Sequence, residues 1–470
     1  MPQFDNSYAR LPDQFYSRVE PDPVPSPEII LFNTELAQML GVSDWAERPD
    51  ILTGNTLPEG AEPIAQVYAA HQFGGWVPRL GDGRAIMLGE VVTDQGRFDI
   101  QLKGAGRTPY SRNGDGRNWL GPVLREYIVS EFMAAMDVPT TRALAATATG
   151  AKVQREQAYP GGVITRVAAS HIRVGTFQYF AARSDTEAVK QLVDHVRMRH
   201  FAGAVGTIGV YEAIVAAQAK LIAKWMGLGF VHGVMNTDNM AVSGETIDYG
   251  PCAFIDGYAA NAVYSSIDRN GRYAFDQQSN IAGWNLAQLG SSLVLLLAEE
   301  LGSQETAVEV LTQTLNAFPA LFQAEWQAVF CAKLGISTPQ DGDVELAQEL
   351  LNLMDKERAD FTNVFAGLGT QVARDEFVDR DAFDQWHAKW QTRLKDEANS
   401  AQLMAQSNPK LIPRTHRLEQ AIQAAVAGDF APAKRLARVL STPTHLDETD
   451  TDLTRPPLAH EVVPNTFCGT

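Results

Sequence analysis

Cysteine is scarce in this chain. Cys252, Cys331 and Cys468 are its only three in 470 residues, and their spacing supplies neither a disulfide framework nor a zinc site, which predicts a reducing, cytoplasmic setting. Cys468, third from the end in FCGT, is expected to be an incidental thiol on a mobile tail. Basic charge is also in deficit. With 39 Lys and Arg against 56 Asp and Glu, the net charge is −17 and the pI about 5.0, which disfavours non-specific binding to nucleic acid or to an anionic membrane. Long apolar runs are missing too, since SLVLLLA near residue 295 is far too short to span a bilayer. The start, MPQFDNSYARLPDQFY, has no basic segment followed by an apolar one. No internal repeat is visible, and low complexity is confined to PDPVPSPE at 21–28, read as an extended connector.

What is present is an ordinary globular composition, 45% hydrophobic and 20% charged, long enough for two or three packed units. Residues 60–180 are rich in strand and turn signals. Arg84 to Val92, a turn at Asp94-Gln95-Gly96, and Arg97 to Gly104 form one hairpin. A helix then begins after Gly121, with Pro122 in its first turn, and runs to about Met136. Beyond about 185 the pattern is mostly helical. Tyr211, Ile214, Leu221, Ile222 and Trp225 recur at helical spacing, and further helices are expected over 280–302, 304–333, 343–358, 382–407, 415–427 and 431–441. This predicts an α+β fold with a strand-bearing N-terminal lobe and a mainly helical C-terminal lobe. The expected divisions are an N-terminal extension over 1–60, the first lobe over 61–180, the second over 181–445 and a tail over 446–470.

Several stretches carry groups suited to phosphate chemistry. In LGDGRA, Gly81 and Gly83 bracket Asp82, and such a turn either lets backbone N–H groups approach an anion or is a plain turn. In the strand DIQLK, Lys103 shares a face with Asp99 and Gln101, opposite Phe98, Ile100 and Leu102, so it points to a cleft or to solvent. Glu126 or Glu131 on the next helix is its candidate ion-pair partner. In HGVMNTDNMAVSGETIDYGPCAF, residues 232–254, a hairpin turning at Gly244-Glu245 pairs Val242 with Ile247 and Ala241 with Asp248. Asn239 and Asp248 then lie diagonally, roughly 7 to 8 Å apart. That spacing fits two oxygen ligands of Mg²⁺, and equally a polar surface turn. In chain order these are the parts of a protein kinase. His232 stands seven residues before Asn239, but the kinase base position two after the His is Val234, whereas Asp238 sits beside the metal-ligand candidate.

YAAHQFGG, LGDGRAIMLGE, DIQLKGAGRTPYSRNGDGR and the 232–254 stretch together resemble the selenoprotein O (SelO) family, over nearly the whole chain. The resemblance implies a kinase-like bilobal fold that binds ATP in reversed orientation and transfers AMP, with release of pyrophosphate, to Ser, Thr or Tyr hydroxyls of protein substrates. UMP transfer from UTP is a further possibility of the same kind. It implies that Gly81, Gly83, Arg84, Lys103, Asp115, Gly116, Arg166, Arg173 and Asp248 bind the nucleotide, that Glu126 pairs with Lys103, that Asp238 accepts the proton, and that Asn239 and Asp248 hold Mg²⁺ or Mn²⁺. Its partners are then ATP and protein substrates, with neither nucleic acid nor membrane. Many relatives carry selenocysteine where this chain has Cys468, which weakens any redox role of the tail. Two rivals remain, an atypical kinase transferring the γ-phosphoryl group and a non-catalytic nucleotide-binding scaffold. His71 and His232 are expected to be structural, and Asp256, Arg107 and Arg112 are left without a role.

Overall fold

The computed structural model describes residues 3–467, so the expectation for Cys468 lies outside the described residues. The fold is α+β. Nine strands form an antiparallel sheet: β1 (Tyr16–Arg18), β2 (Glu28–Phe32), β3 (Ile64–Gln72), β4 (Gly75–Gly81), β5 (Ala85–Thr93), β6 (Gly96–Lys103), β7 (Asn118–Trp119), β8 (Arg142–Gln154) and β9 (Ala158–Ala168). The main order is β1-β3-β5-β6-β9-β8-β2, with β4 on β3 and β7 on β9. Residues before 60 thus supply both ends of this order.

Alternation along β6 separates two environments. Ile100 and Leu102 pack with Leu36, Leu40 and Leu52 of two short helices, α1 (Thr34–Leu40) and α2 (Pro49–Thr53). Asp99, Gln101 and Lys103 are buried on the opposite, polar side. There the sheet meets α3 (Leu120–Ala135), whose Leu124, Ile128 and Phe132 belong to the main core. Next come α4 (Val174–Ala181), α5 (Thr186–His200) and α6 (Gly206–Gly227), then a two-stranded ribbon of β10 (Phe230–Val231) and β11 (Ala253–Phe254).

The remaining helices are α7 (Gln278–Leu301), α8 (Gln304–Asn316), α9 (Phe318–Lys333), α10 (Asp343–Glu357), α11 (Phe361–Ala366), α12 (Gln371–Asp375), α13 (Arg380–Arg393), α14 (Ser400–Ser407), α15 (Thr415–Val426) and α16 (Ala431–Val439). Two expected helices are broken. Pro319 cannot donate to a preceding turn, so 304–333 divides into α8 and α9 with Pro319 in the first turn of the second. The span 382–407 breaks between α13 and α14, where Glu397 turns to accept from Ser337 N at 3.0 Å. The segment Phe275–Leu301 reaches a mean hydropathy of 1.5, long and apolar enough to cross a bilayer, but 56% of its window is buried in the protein. Its neighbours are α4, α6 and α8. Helices α15 and α16 return from the far lobe to pack on α3.

The expected 240–249 hairpin does not form. Val242 N donates to Ile172 O and Thr246 N to Pro139 O, so each arm pairs with a different outside segment. Ala241 bridges Arg173, and Thr246 bridges Thr140. The turn itself remains, with Gly244 N on Ala241 O.

Candidate active site

The polar face of the sheet and the 236–248 segment enclose a cleft of about 800 Å³. Gly81, Gly83, Arg84, Lys103, Asp115, Gly116, Arg166, Arg173, Asp238 and Asp248 all line it. Glu126 stands directly behind Lys103. Asn239 is not among the lining residues. It borders a smaller cavity beside Met235, Glu245 and Asn285, and its amide donates to Val234 O at 3.0 Å.

The centre is a buried ion cluster drawn from four elements. Lys103 Nζ, at the end of β6, donates to Glu126 Oε2 of α3 at 2.8 Å and also contacts Asp248. Arg166, on β9, donates from Nε to Glu126 Oε1 at 2.7 Å, from NH2 to Asp248 Oδ1 at 2.7 Å and from NH1 to Gln101 Oε1 at 3.2 Å. Glu131 instead takes a bidentate pair from Arg142. Burial works against the ionised forms of Glu126 and Asp248. For Glu126 the charges of Arg166 and Lys103 outweigh it and hold the carboxyl below its ordinary value. For Asp248, Lys103, Arg166 and Arg173 do so more strongly, to well below. Asp248 has φ +66°, a left-handed conformation that Asp tolerates better than most residues.

Arg173 precedes α4 and donates to Asp82 Oδ1 at 3.0 Å, with its guanidinium 4.3 Å from the Tyr68 ring centroid. Asp82 Oδ2 accepts from Gln66 N at 3.1 Å. Gly81 is required by packing, because a Cβ there would lie 2.3 Å from the Tyr110 ring. Gly116 has φ +69° and would collide with Gly106 O. Asp115 accepts from Arg155 at 2.8 Å and from Arg117 N at 2.9 Å, which fixes the far wall. One terminal nitrogen of Arg84 and the Nε of Arg173 are buried without a partner, leaving donors for an anion.

Asp238 sits in a short 3-10 turn, Thr237–Asn239. Its Oδ2 accepts from Gln72 Nε2 at 3.0 Å, while Oδ1 is buried with no partner. Burial pushes its carboxyl up to about 6, against the opposing effects of Arg173 and Gln72.

Sequence reasoning missed several cleft residues. Asp82 lay in view between its two glycines, but its partner Arg173 is 91 residues away. Arg155 comes from the β8–β9 turn, and nothing local marks it. Arg107 and Arg112 line the same cleft. His232 Nε2 meets Ile247 O at 2.9 Å, and His71 pairs with Gln178 at 2.9 Å. Asp256 lies elsewhere, bound by Arg414.

Among the described residues no group of three or more His, Cys, Asp or Glu converges on a metal position. Of the expected metal and proton-acceptor residues, Asp238 and Asp248 bring oxygen donors to the cleft lining, with Asn239 next to Asp238 in the chain but outside the lining. That set suits a hard cation that keeps waters and takes substrate phosphate oxygens, and it does not suit a softer metal wanting thiolate or imidazole.

The family model described as protein adenylyltransferase SelO matches residues 2–441. A protein nucleotidyltransferase YdiU from Ruegeria pomeroyi is 55% identical over 471 residues, covering 99% of each chain. The proteins of the same name from Roseobacter denitrificans and Bradyrhizobium diazoefficiens are 55% and 52% identical, again over 99% of each chain.

Proposed function

The chain belongs to the SelO family of protein adenylyltransferases, and from that membership we propose that it transfers AMP from ATP to hydroxyl side chains of protein substrates. The observation that carries this reading is one cleft in which Lys103 and Arg166 converge on Asp248, with Arg173 and Asp238 lining the same space and the Asp238 carboxyl pushed up by burial. Buried cations suit a triphosphate. A buried carboxylate with one bare oxygen suits proton acceptance.

In this reading Lys103 and Arg166, held rigid by Glu126, bind phosphate oxygens. Arg84 and Arg173 supply further donors. Asp238 takes the proton of the attacking hydroxyl. Asp248 and Asn239 would hold Mg²⁺ or Mn²⁺, which when bound neutralises charge developing on the phosphates. Asp248 must then exchange its contact with Lys103 for one to the cation. The presence of a proton acceptor and of metal donors together favours an enzyme over a scaffold, and Val234 at the kinase base position disfavours γ-phosphoryl transfer. UTP as a second donor is part of the proposal, because the name of the relatives, protein nucleotidyltransferase, does not restrict the base. The cysteine count and the acidic balance support a cytoplasmic setting.

Intact-protein mass spectrometry after incubation with ATP and Mg²⁺, on the chain and on Asp248→Ala, tests the reading. A gain of one AMP mass on the chain or on added protein acceptors, lost in the variant, is expected. A gain of one phosphate mass would restore the kinase alternative, and AMP transfer by the variant would dismantle the metal role of Asp248.

A further inference from the structure

The turn HQFGGW between β3 and β4 has no role in the chemistry described so far, yet it is bound residue by residue to the turn bearing Asp238. His71 N donates to Thr237 Oγ1 at 2.8 Å, Gln72 Nε2 to Asp238 Oδ2 at 3.0 Å, and Phe73 N to Asn236 Oδ1 at 3.0 Å. Gln178 of α4 closes the lattice of contacts, accepting from Thr237 Oγ1 at 2.6 Å and pairing with His71 Nδ1 at 2.9 Å. Phe73 has φ +50°, a left-handed conformation unusual for a bulky residue, and Tyr273 OH also accepts from its N–H at 3.2 Å. Phe73 and Gly74, both at positive φ, form the two-residue turn that pairs Gln72 with Gly75.

Among the described residues Gln72 makes the only side-chain hydrogen bond to Asp238, whose other oxygen is bare. A carboxylate turns about two single bonds, so one fixed N–H selects its rotamer. We infer that Gln72 is a positioning residue that holds the Asp238 carboxylate in the orientation for proton acceptance, through the hairpin that carries it across from the sheet. The inference rests on the reading of Asp238 as proton acceptor. The charged groups facing Asp238 are Arg173 and Asp248, and neither donates a hydrogen bond to it. Loss of the amide therefore leaves the carboxylate without a side-chain anchor.

The test uses the full chain with ATP, Mg²⁺ and a protein acceptor. Gln72→Leu and Gln72→Glu keep the size of the side chain and lack the N–H donor. Each is expected to lower kcat about tenfold or more while the KM for ATP stays within about twofold, with melting temperature recorded for both. In an Asp238→Asn background, adding Gln72→Leu is expected to cost no more than about twofold further, because the group it positions is already gone. A rise in KM at unchanged kcat would make Gln72 a nucleotide-binding residue and overturn the inference, as would losses that multiply in the double variant. Wild-type activity in Asp238→Asn alone would remove the proton-acceptor reading itself, an outcome distinct from either of those.

Discussion

At the scale of single residues, two carboxylates that line the cleft have opposite environments. The cations around Asp248 hold its carboxyl well below the ordinary range against the effect of burial, whereas burial pushes the Asp238 carboxyl up to about 6. The direction has a kinetic consequence. As the proposed proton acceptor, Asp238 must be ionised, so the single-turnover rate of AMP transfer should be flat above about pH 7 and fall as pH drops through about 6, approaching tenfold per unit below. An unperturbed carboxyl would keep the rate flat to far lower pH. Asp238→Asn should lose roughly 10² to 10⁴ in rate and lose this acid limb. A wild-type rate that stays level down to pH 5 would rule Asp238 out as the group that titrates.

Elements decided which of these residues were legible in the sequence. Lys103 could be placed on the polar face of its strand because period-two alternation is a local property, and β6 obeys it. The choice between Glu126 and Glu131 was not local. Five residues apart on α3, they face different partners, and the positions of Arg142, Asn33 and the Ala143 N–H show that Glu131 is already taken. The hairpin misreading around 240–249 has the same origin, since backbone groups of Ile172 and Pro139 compete for the arms and no sequence window contains both. Glycine and proline punctuation was similarly incomplete, because Pro319 reads as a helix start only once a break before it is allowed.

The helical lobe holds a buried charge that no pattern revealed. Lys333, at the end of α9, is buried among Phe361, Phe365 and other apolar side chains, with Nζ donating to Asn408 Oδ1 at 2.9 Å and lying 4.3 Å from the Phe365 ring centroid. Burial pulls its ammonium down to about 7. Unfolded, it titrates near its ordinary 10.5. Between those values the unfolded chain binds a proton that the folded one does not, so stability rises with pH across this window, and below about 7 the full cost is present. Lys333→Met should therefore stabilise the protein at pH 6, by on the order of 2 kcal/mol after the lost bond to Asn408. The gain should shrink towards pH 10, as read by denaturant titration. Equal stability of the two proteins at pH 6 would mean that the ammonium is better compensated than its two aromatic neighbours and one amide suggest.

Across the whole molecule the cleft reverses the sign of the surface that surrounds it. The chain carries a net charge of −17, yet eight basic side chains line the cleft against four acidic ones. Low-dielectric walls focus such a field on the opening, while the acidic exterior repels polyanions elsewhere. This division suits entry of a nucleotide triphosphate into the cleft, as the proposed reading requires. It also separates two kinds of interaction by their response to salt. In the proposed reading, any attraction of ATP towards the exposed Arg107 and Arg112 at the cleft acts through solvent and is screened over about 8 Å at physiological ionic strength. The contacts of Lys103 and Arg166, whose side chains are 9% and 2% exposed, are screened far less. Raising KCl from about 20 mM to about 300 mM should therefore increase the KM for ATP several-fold and leave kcat within about twofold. Arg107→Gln with Arg112→Gln should raise the low-salt KM and flatten its salt dependence, because the screened part of the attraction has been removed. A salt dependence identical to that of the wild type would place the long-range attraction on the inner cations instead.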